Sequence, residues 1–138
     1  MRLSRLAFLV LPLVACSGGG TAGAPAAESV ARDSGLVITH HVEGTGARPG
    51  PIDLVRIHYH GTFPDGRVFD SSVERGEPAA FRLGQVIACW TEGVQLMKVG
   101  GKATFICPPK IAYGEGGAGT RIPPNATLHF EVELLAVL

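Results

Sequence analysis

Charged residues are scarce in this sequence of 138 residues: they make up 17% of it, with 12 basic and 12 acidic side chains and a formal net charge of zero. Because neither sign is in excess, nothing in the composition would attract the chain to nucleic acid or to an anionic surface. Aromatic residues are also few, at 7%, whereas 19 glycines and 10 prolines fall in short clusters between apolar runs. Such clusters indicate tight turns within about one domain.

The sequence also lacks the motifs of several catalytic classes. The glycine-rich stretch 114–119 neither opens a helix nor contains the Lys-Ser/Thr pair of a phosphate-binding loop, and no Ser/His/Asp or Cys/His nucleophile arrangement is present. His58 and His60 could bind a metal together with His129, but such loose spacing is more typical of solvent-facing strand residues. We therefore expect neither a metal nor a cofactor.

The N-terminal segment has the composition of an export signal. Arg2 and Arg5 give it a positive start, and a short apolar core follows at residues 6–14. This core is far shorter than the ~20 residues that a membrane-spanning helix needs. The pattern predicts a signal peptide over residues 1–15.

The end of this segment predicts a lipid anchor. Leu13-Val14-Ala15-Cys16 resembles the bacterial lipobox, in which the cysteine thiol is acylated and becomes the new N-terminus after cleavage. Each buried methylene of an acyl chain contributes ~0.8 kcal/mol, so several chains on Cys16 would hold the protein at a bilayer. Serine rather than aspartate at position 17 is the usual sorting pattern for the outer membrane. We expect a membrane-anchored lipoprotein that faces the periplasm.

The segment after Cys16 is rich in Gly, Ala, Ser and Thr and has no apolar periodicity. This composition predicts a flexible tether over residues 16–35, with a reach of roughly 25 Å. The remaining residues, 36–138, have the pattern of one folded domain. Because the tether is too short to form a dimerising helical domain, we expect a monomer.

Two cysteines remain once Cys16 is lipidated. Cys89 and Cys107 could form a disulfide in an oxidising periplasm, or they could pack as two small buried thiols. Their spacing does not distinguish these alternatives, since the geometry decides whether a disulfide can form.

Apolar and polar residues alternate along three segments of the domain: 52–60, 102–107 and 126–134. Such alternation is typical of antiparallel strands with one solvated face. Trp90, Val94 and Met97 recur instead at helical spacing, so the pattern predicts one helix over residues 90–98. One amphipathic helix packed on one face of an antiparallel sheet is an α+β domain.

Six short strings follow one another with compatible spacing: VRIHYHG (55–61), DGRVFDSS (65–72), VIACWTEG (86–93), MKVGGK (97–102), IAYG (111–114) and IPPNATL (122–128). Together they resemble the FKBP-type peptidyl-prolyl isomerase family over essentially all of residues 36–138. The resemblance implies an antiparallel half-barrel sheet wrapped around one short amphipathic helix, with an apolar pocket between them.

The resemblance also implies which residues form that pocket. Tyr59, Asp70 and Tyr113 would be the catalytic residues, with Asp70 orienting Tyr59 and the Tyr113 hydroxyl donating to a substrate carbonyl. The substrate-binding residues would be Phe69, Val86, Ile87, Trp90, Ile122 and Phe130. Arg75 matches a basic residue that pairs near the pocket aspartate. The partners would be proline-containing polypeptides and, in the same pocket, rapamycin- or tacrolimus-type macrolides.

The reaction that such a pocket implies breaks no bond. Rotation about an X–Pro peptide bond has a barrier of ~18–20 kcal/mol, which comes from amide resonance. Water favours resonance because resonance separates charge, so an apolar pocket lowers the barrier by excluding water and holding the bond partly twisted. The leading hypothesis is an isomerase acting on exported proteins. The alternative is a peptide-binding, chaperone-like lipoprotein with incidental isomerase activity.

Three departures from the family pattern lie at the rim of the predicted pocket. Ala79 occupies a position that is usually aromatic, and the stretch 83–87 is one residue shorter than in many relatives. Arg121 replaces a commonly apolar residue in a loop that lacks the rim histidine. These departures predict altered contacts at the rim, an altered sequence preference and weaker binding of macrolides. The floor of the predicted pocket matches the family pattern.

Overall fold

The computed structural model describes residues 28–138, and within them the chain forms one sheet and two α-helices. The strands are β1 (Ser29–Ala31), β2 (Val37–Val42), β3 (Leu54–Thr62), β4 (Val68–Ser71), β5 (Ala79–Arg82), β6 (Lys102–Cys107) and β7 (Leu128–Val137). The helices are α1 (Ser72–Arg75) and α2 (Ala88–Gln95). Neither of these helices is long and apolar enough to cross a membrane. The predicted signal peptide, 1–15, and the predicted lipidation at Cys16 lie outside the described residues.

The sheet is antiparallel throughout the described residues. Its strands lie in the order β1-β2-β6-β7-β3-β4, and β5 joins the same edge of β3 as β4 does. Buried and more exposed residues alternate along β3, β6 and β7, because one face of the sheet packs on the core and the other meets solvent. The predicted α+β class is confirmed.

Helix α2 packs against the buried face of the sheet. Trp90 and Val94 are buried along its apolar stripe, and Met97 is buried just beyond its end. The helix approaches β6 closely at Gly93, where a Cβ atom would lie only 2.7 Å from the ring of Phe105. Glycine at this position therefore lets the helix lie directly on the sheet.

The helices differ from the sequence prediction in two respects. Helix α2 ends before residue 98, because the N–H groups of Leu96 and Met97 bond back to carbonyls only three residues earlier and tighten the last turn. Helix α1 was not predicted, since four residues are too few to display an apolar period. It begins where the Ser71 hydroxyl accepts a hydrogen bond from the N–H of Glu74, as an N-cap does.

The folded domain begins earlier than the boundary predicted at residue 36. Strand β1 pairs with β2, and the side chains of Arg32 and Ser34 then donate hydrogen bonds to the carboxylate of Glu92 on α2. The tether predicted over 16–35 is thus corrected for residues 29–34. A composition poor in apolar residues does not prevent a strand of three residues, because main-chain hydrogen bonds to a neighbouring strand suffice to form it.

A disulfide joins the helix to the sheet. Cys89, in the first turn of α2, is bonded to Cys107, the last residue of β6, and their Cα atoms lie 5.8 Å apart. Both residues are fully buried. The bond therefore fastens the start of α2 to the core of the sheet.

Candidate functional site

A cavity of about 490 Å³ lies between α2 and the buried face of the sheet. Its walls come from β3, β4, β5, β7, α2, the segment before α2 and the loop after β6. The lining residues are Tyr59, Phe69, Asp70, Phe81, Gln85, Val86, Ile87, Trp90, Tyr113 and Phe130. Most of this lining is aromatic or aliphatic, so the cavity suits an apolar group.

Trp90 forms the floor of the cavity and is held by three aromatic rings. Its indole lies edge-to-face against Tyr59 and Phe81, each at 5.2 Å between ring centroids, and against Phe130 at 5.3 Å. Edge-to-face packing is a favoured arrangement of aromatic rings and fixes their relative orientation. The indole N–H has no hydrogen-bond partner within residues 28–138. Because three rings pack against the indole, the floor of the cavity is an aromatic surface with a fixed orientation.

One wall of the cavity is polar. The Tyr59 hydroxyl donates a hydrogen bond to Oδ2 of Asp70 at 2.5 Å. Arg75 donates from Nη1 to Oδ1 of Asp70 at 2.5 Å and from Nη2 to the Tyr59 hydroxyl at 3.0 Å. The three side chains thus close a triangle that runs from the buried phenol to the half-exposed guanidinium.

This triangle sets the charge of its members. Burial alone would raise the pKa of Asp70, but the hydrogen bonds from Tyr59 and Arg75 outweigh it and lower the pKa below its ordinary value. Burial raises the pKa of Tyr59, and the Arg75 hydrogen bond only partly opposes it. At neutral pH the cavity therefore presents a carboxylate paired with a guanidinium, beside a neutral phenol.

The chain matches a known family in sequence. Residues 46–135 match the pattern of the FKBP-type peptidyl-prolyl cis-trans isomerases. The chain belongs to this family. An FKBP-type isomerase of Aeromonas hydrophila, FkpA, is 60% identical over 105 residues, which are 76% of this chain and 39% of that protein. The chain thus spans well under half the length of this curated relative.

Solved FKBP structures have the same fold. The crystal structure of FkpA from Escherichia coli has a TM-score of 0.77 and 47% identity, over 79% of this chain and 51% of that one. The crystal structure of AtFKBP13 has a TM-score of 0.76 and 37% identity, over 80% of this chain and 99% of that one. The matched part of this chain therefore corresponds to nearly all of the AtFKBP13 chain.

The FKBP cavity gathers eight of the nine catalytic and substrate-binding residues expected from the sequence, all except Ile122. Ile122 is 3% exposed and belongs to the buried core. Its N–H and C=O pair with the C=O and N–H of Ala118, at 3.1 and 2.9 Å.

Two lining residues were missed by the sequence reasoning. Phe81 packs edge-to-face on Trp90 and supplies an aromatic wall of the cavity, two residues after Ala79. The alternation of β5 could have indicated this, since residues 79 and 81 share one face of a strand. Gln85, in the 3-10 turn before α2, carries no local pattern that would have pointed to the cavity.

A second cavity, of about 560 Å³, lies on the opposite face of the sheet and includes the ionisable side chains of His41, His58, His60, Lys102, Glu131 and Glu133. His58 and His60 each place Nδ1 within hydrogen-bond distance of a serine hydroxyl. Residues 28–138 contain no group of three or more His, Cys, Asp or Glu side chains placed to hold a metal. His129 does not line this cavity, and the metal-site hypothesis gains no support.

Proposed function

We propose that this protein is a peptidyl-prolyl cis/trans isomerase that accelerates X–Pro rotation in exported or periplasmic proteins, without a covalent intermediate. One observation carries the proposal: the same cavity has an aromatic floor at Trp90 and a polar wall of Tyr59 and Asp70, which Arg75 holds from outside the lining. Membership of the FKBP family supports the same activity.

The cavity accounts for the reaction by position and desolvation. A proline ring bound over Trp90, between Tyr59 and Phe130, would lose its contact with water. The loss of water favours the twisted amide, because the twisted amide has less charge separation than the planar one. The N–H of Ile87 lies at the start of α2, where main-chain N–H groups lack an intrahelical partner and can donate to a substrate carbonyl. Tyr113, 42% exposed at the entrance, offers a second donor.

The Tyr59–Asp70–Arg75 triangle would act on the carbonyl of the twisting amide through its electrostatic field. Asp70 stays ionised because Tyr59 and Arg75 both donate to it, so its charge is fixed in direction before a substrate arrives. A preorganised charge costs no reorganisation when the amide twists.

Isomerisation of a short Ala-X-Pro-Phe peptide by the purified protein tests the proposal. We expect acceleration of the cis-to-trans step, and simultaneous binding that quenches or shifts the fluorescence of Trp90, the single tryptophan. Peptide binding without acceleration would contradict the isomerase and favour the chaperone-like alternative.

The location of the protein is a further part of the proposal. We propose that the protein is anchored through acylated Cys16 and faces the periplasm from the outer membrane, as a monomer. The Cys89–Cys107 disulfide supports an oxidising compartment, since disulfides persist there. Incorporation of labelled palmitate that disappears in a Cys16→Ser variant would support the anchor; equal labelling of both forms would contradict it.

Macrolides of the rapamycin and tacrolimus type are proposed ligands of the same cavity. Ala79 leaves the rim with one aromatic ring fewer, so we expect weaker binding than in relatives with an aromatic residue there. Competition with a proline peptide, followed by Trp90 fluorescence, measures the affinity. An Ala79→Phe variant with unchanged affinity would show that this rim position is not the cause.

A further inference from the structure

Strand β3 has an interruption in its pairing beside the active site. On one edge, β7 pairs with β3 along nearly its whole length. On the other edge, β5 pairs with β3 only as far as Ile57, and β4 begins to pair at His60. Between these two points, Tyr59 faces no strand on this edge within the described part of the chain.

The main-chain groups of Tyr59 point into this gap, because the residues of a strand alternate in the side to which their N–H and C=O point. Tyr59 is 5% exposed, so water does not readily reach these groups. Buried main-chain donors and acceptors need partners, and a side chain must supply them where a strand does not.

The hydroxyl of Ser72 fills the gap. Its Oγ accepts a hydrogen bond from the N–H of Tyr59 at 2.7 Å and donates to the carbonyl of Tyr59 at 3.2 Å. His58 places Nδ1 at 2.9 Å from the same oxygen. A hydroxyl has two lone pairs and one proton, so it satisfies all three contacts when Nδ1 of His58 carries its proton. Ser72 is fully buried.

In the sequence, Ser72 lies between Asp70 and Arg75, the other two members of the triangle. Asp70 lies two residues before it, near the end of β4, and Arg75 lies three residues after it, at the end of α1. The hydroxyl of Ser72 therefore ties the main chain of Tyr59 to the segment that carries both of its side-chain partners, and Ser71 Oγ adds only a longer bond, of 3.4 Å, to the same carbonyl. A displacement of either part would lengthen the 2.5 Å hydrogen bond between Tyr59 and Asp70.

We propose that Ser72 is a positioning residue for isomerisation: it takes the place of the missing strand partner of Tyr59 and so holds the phenol on Asp70 and Arg75. This inference rests on the proposed isomerase function. Ser72 acts only through Tyr59, because its hydroxyl is enclosed by main chain and His58 and does not line the cavity.

A double-mutant cycle tests this role with Ser72→Ala, Tyr59→Phe and the combined variant. We expect Ser72→Ala to lower kcat severalfold at a temperature well below unfolding, with little change in KM, since the aromatic floor is untouched. In the Tyr59→Phe background the same change should leave kcat unaltered, because the hydroxyl that Ser72 positions is gone. The free energy of unfolding should fall in both backgrounds.

Two further variants separate positioning from mere stability. Asp53 accepts a hydrogen bond on its side chain from the N–H of Gly50, at 2.7 Å, and it does not line the cavity. Asp53→Ala therefore removes a comparable bond between a side chain and the main chain, away from the site. It should lower stability without changing kcat. Ser72→Cys keeps nearly the same volume with a much weaker donor and acceptor, so it should fold and still lose kcat.

The outcomes that overturn the inference are distinct from failure of the proposed function. A folded Ser72→Ala or Ser72→Cys variant with the kcat of the native protein would overturn the positioning role. An equal loss of kcat in both backgrounds would also overturn it, since Ser72 would then act independently of the phenol. A native protein that binds the peptide but does not accelerate its isomerisation would overturn the proposed function, and this inference with it.

Discussion

Asp70 is the residue on which the polar wall of the cavity converges. It accepts hydrogen bonds from a buried phenol on one oxygen and from a guanidinium on the other. Its own side chain is 28% exposed and that of Arg75 is 51% exposed, so solvent screens their ion pair. Such pairs contribute little to stability, about 0–1 kcal/mol. We therefore expect Asp70 to contribute to the rate of isomerisation and to add little to the free energy of unfolding.

Replacement Asp70→Asn separates these two contributions. Asparagine keeps the size of the side chain but loses the charge and one acceptor oxygen. We expect kcat/KM to fall about tenfold or more, equivalent to ~1.4 kcal/mol in the barrier, while the free energy of unfolding changes by less than ~1 kcal/mol. Peptide isomerisation and urea unfolding measure the two effects. Native activity in this variant would remove Asp70 from the mechanism.

Tyr59 gives a pH prediction because its pKa is raised in the folded protein, chiefly by burial. The neutral phenol is then favoured by folding, so its contribution to stability is present below the unfolded pKa of about 10 and is lost as pH rises through the folded pKa. The sequence has two tyrosines, and Tyr113→Phe leaves Tyr59 alone to titrate.

We expect the absorbance of this Tyr113→Phe variant to report phenolate formation at a pH above the ordinary value. The alkaline loss of stability that belongs to Tyr59 should be absent after Tyr59→Phe. Titration of the remaining tyrosine at the pH of a free phenol would show that burial and the Asp70 hydrogen bond do not act on it as described.

At the scale of elements, the disulfide is the strongest single tie between α2 and the sheet. Cys89 and Cys107 are 18 residues apart in sequence, and a cross-link of a loop of that size stabilises a protein by roughly 3 kcal/mol. The double variant Cys89→Ser, Cys107→Ser should therefore lose about that much, and reductant should destabilise the native protein similarly. Urea unfolding followed by Trp90 fluorescence checks both. A Cys16→Ser variant is the control, since Cys16 does not contribute to the bond.

The elements also differ in how far the sequence could predict them. Val55, Ile57 and Tyr59 on β3 alternate over enough residues to indicate a half-buried strand, and the stripe through Trp90 and Val94 indicates α2. Strand β1 and helix α1 span three and four residues, too few for any period, so their contacts with distant parts of the chain decide them.

The residues of the candidate site also differ in how far a local sequence pattern could predict them. Eight of the expected residues line the cavity, whereas Ile122, although it belongs to the shared IPPNATL string, is not among the lining residues. Position 122 is set by the loop hydrogen bonds with Ala118, which no local pattern encodes. Ser72 could be read as part of the DGRVFDSS string, but its role depends on where β4 and β5 leave β3 unpaired, which is a property of the assembled sheet.

At the scale of the whole molecule, we expect the cavity and the proposed anchor to act separately. Among residues 28–138, those that line the cavity lie between positions 59 and 130, and strand β1 is at the far edge of the sheet from β3. The contacts of Arg32 and Ser34 with Glu92 hold the beginning of the domain on α2. We therefore expect a lipid on Cys16 to determine where the protein is without changing the geometry of the cavity.

This separation predicts that Cys16→Ser changes location without changing catalysis. We expect the variant to be released from the membrane fraction, since no acyl chain would remain to be buried in a bilayer. On a short peptide its kcat/KM should equal that of the detergent-solubilised lipidated protein, because the cavity is built entirely from the folded domain. On an unfolded outer-membrane protein held at a vesicle surface, the anchored form should act faster, because the anchor raises the effective concentration. A loss of activity toward the short peptide would contradict the separation and would mean that the anchored segment contributes to the cavity.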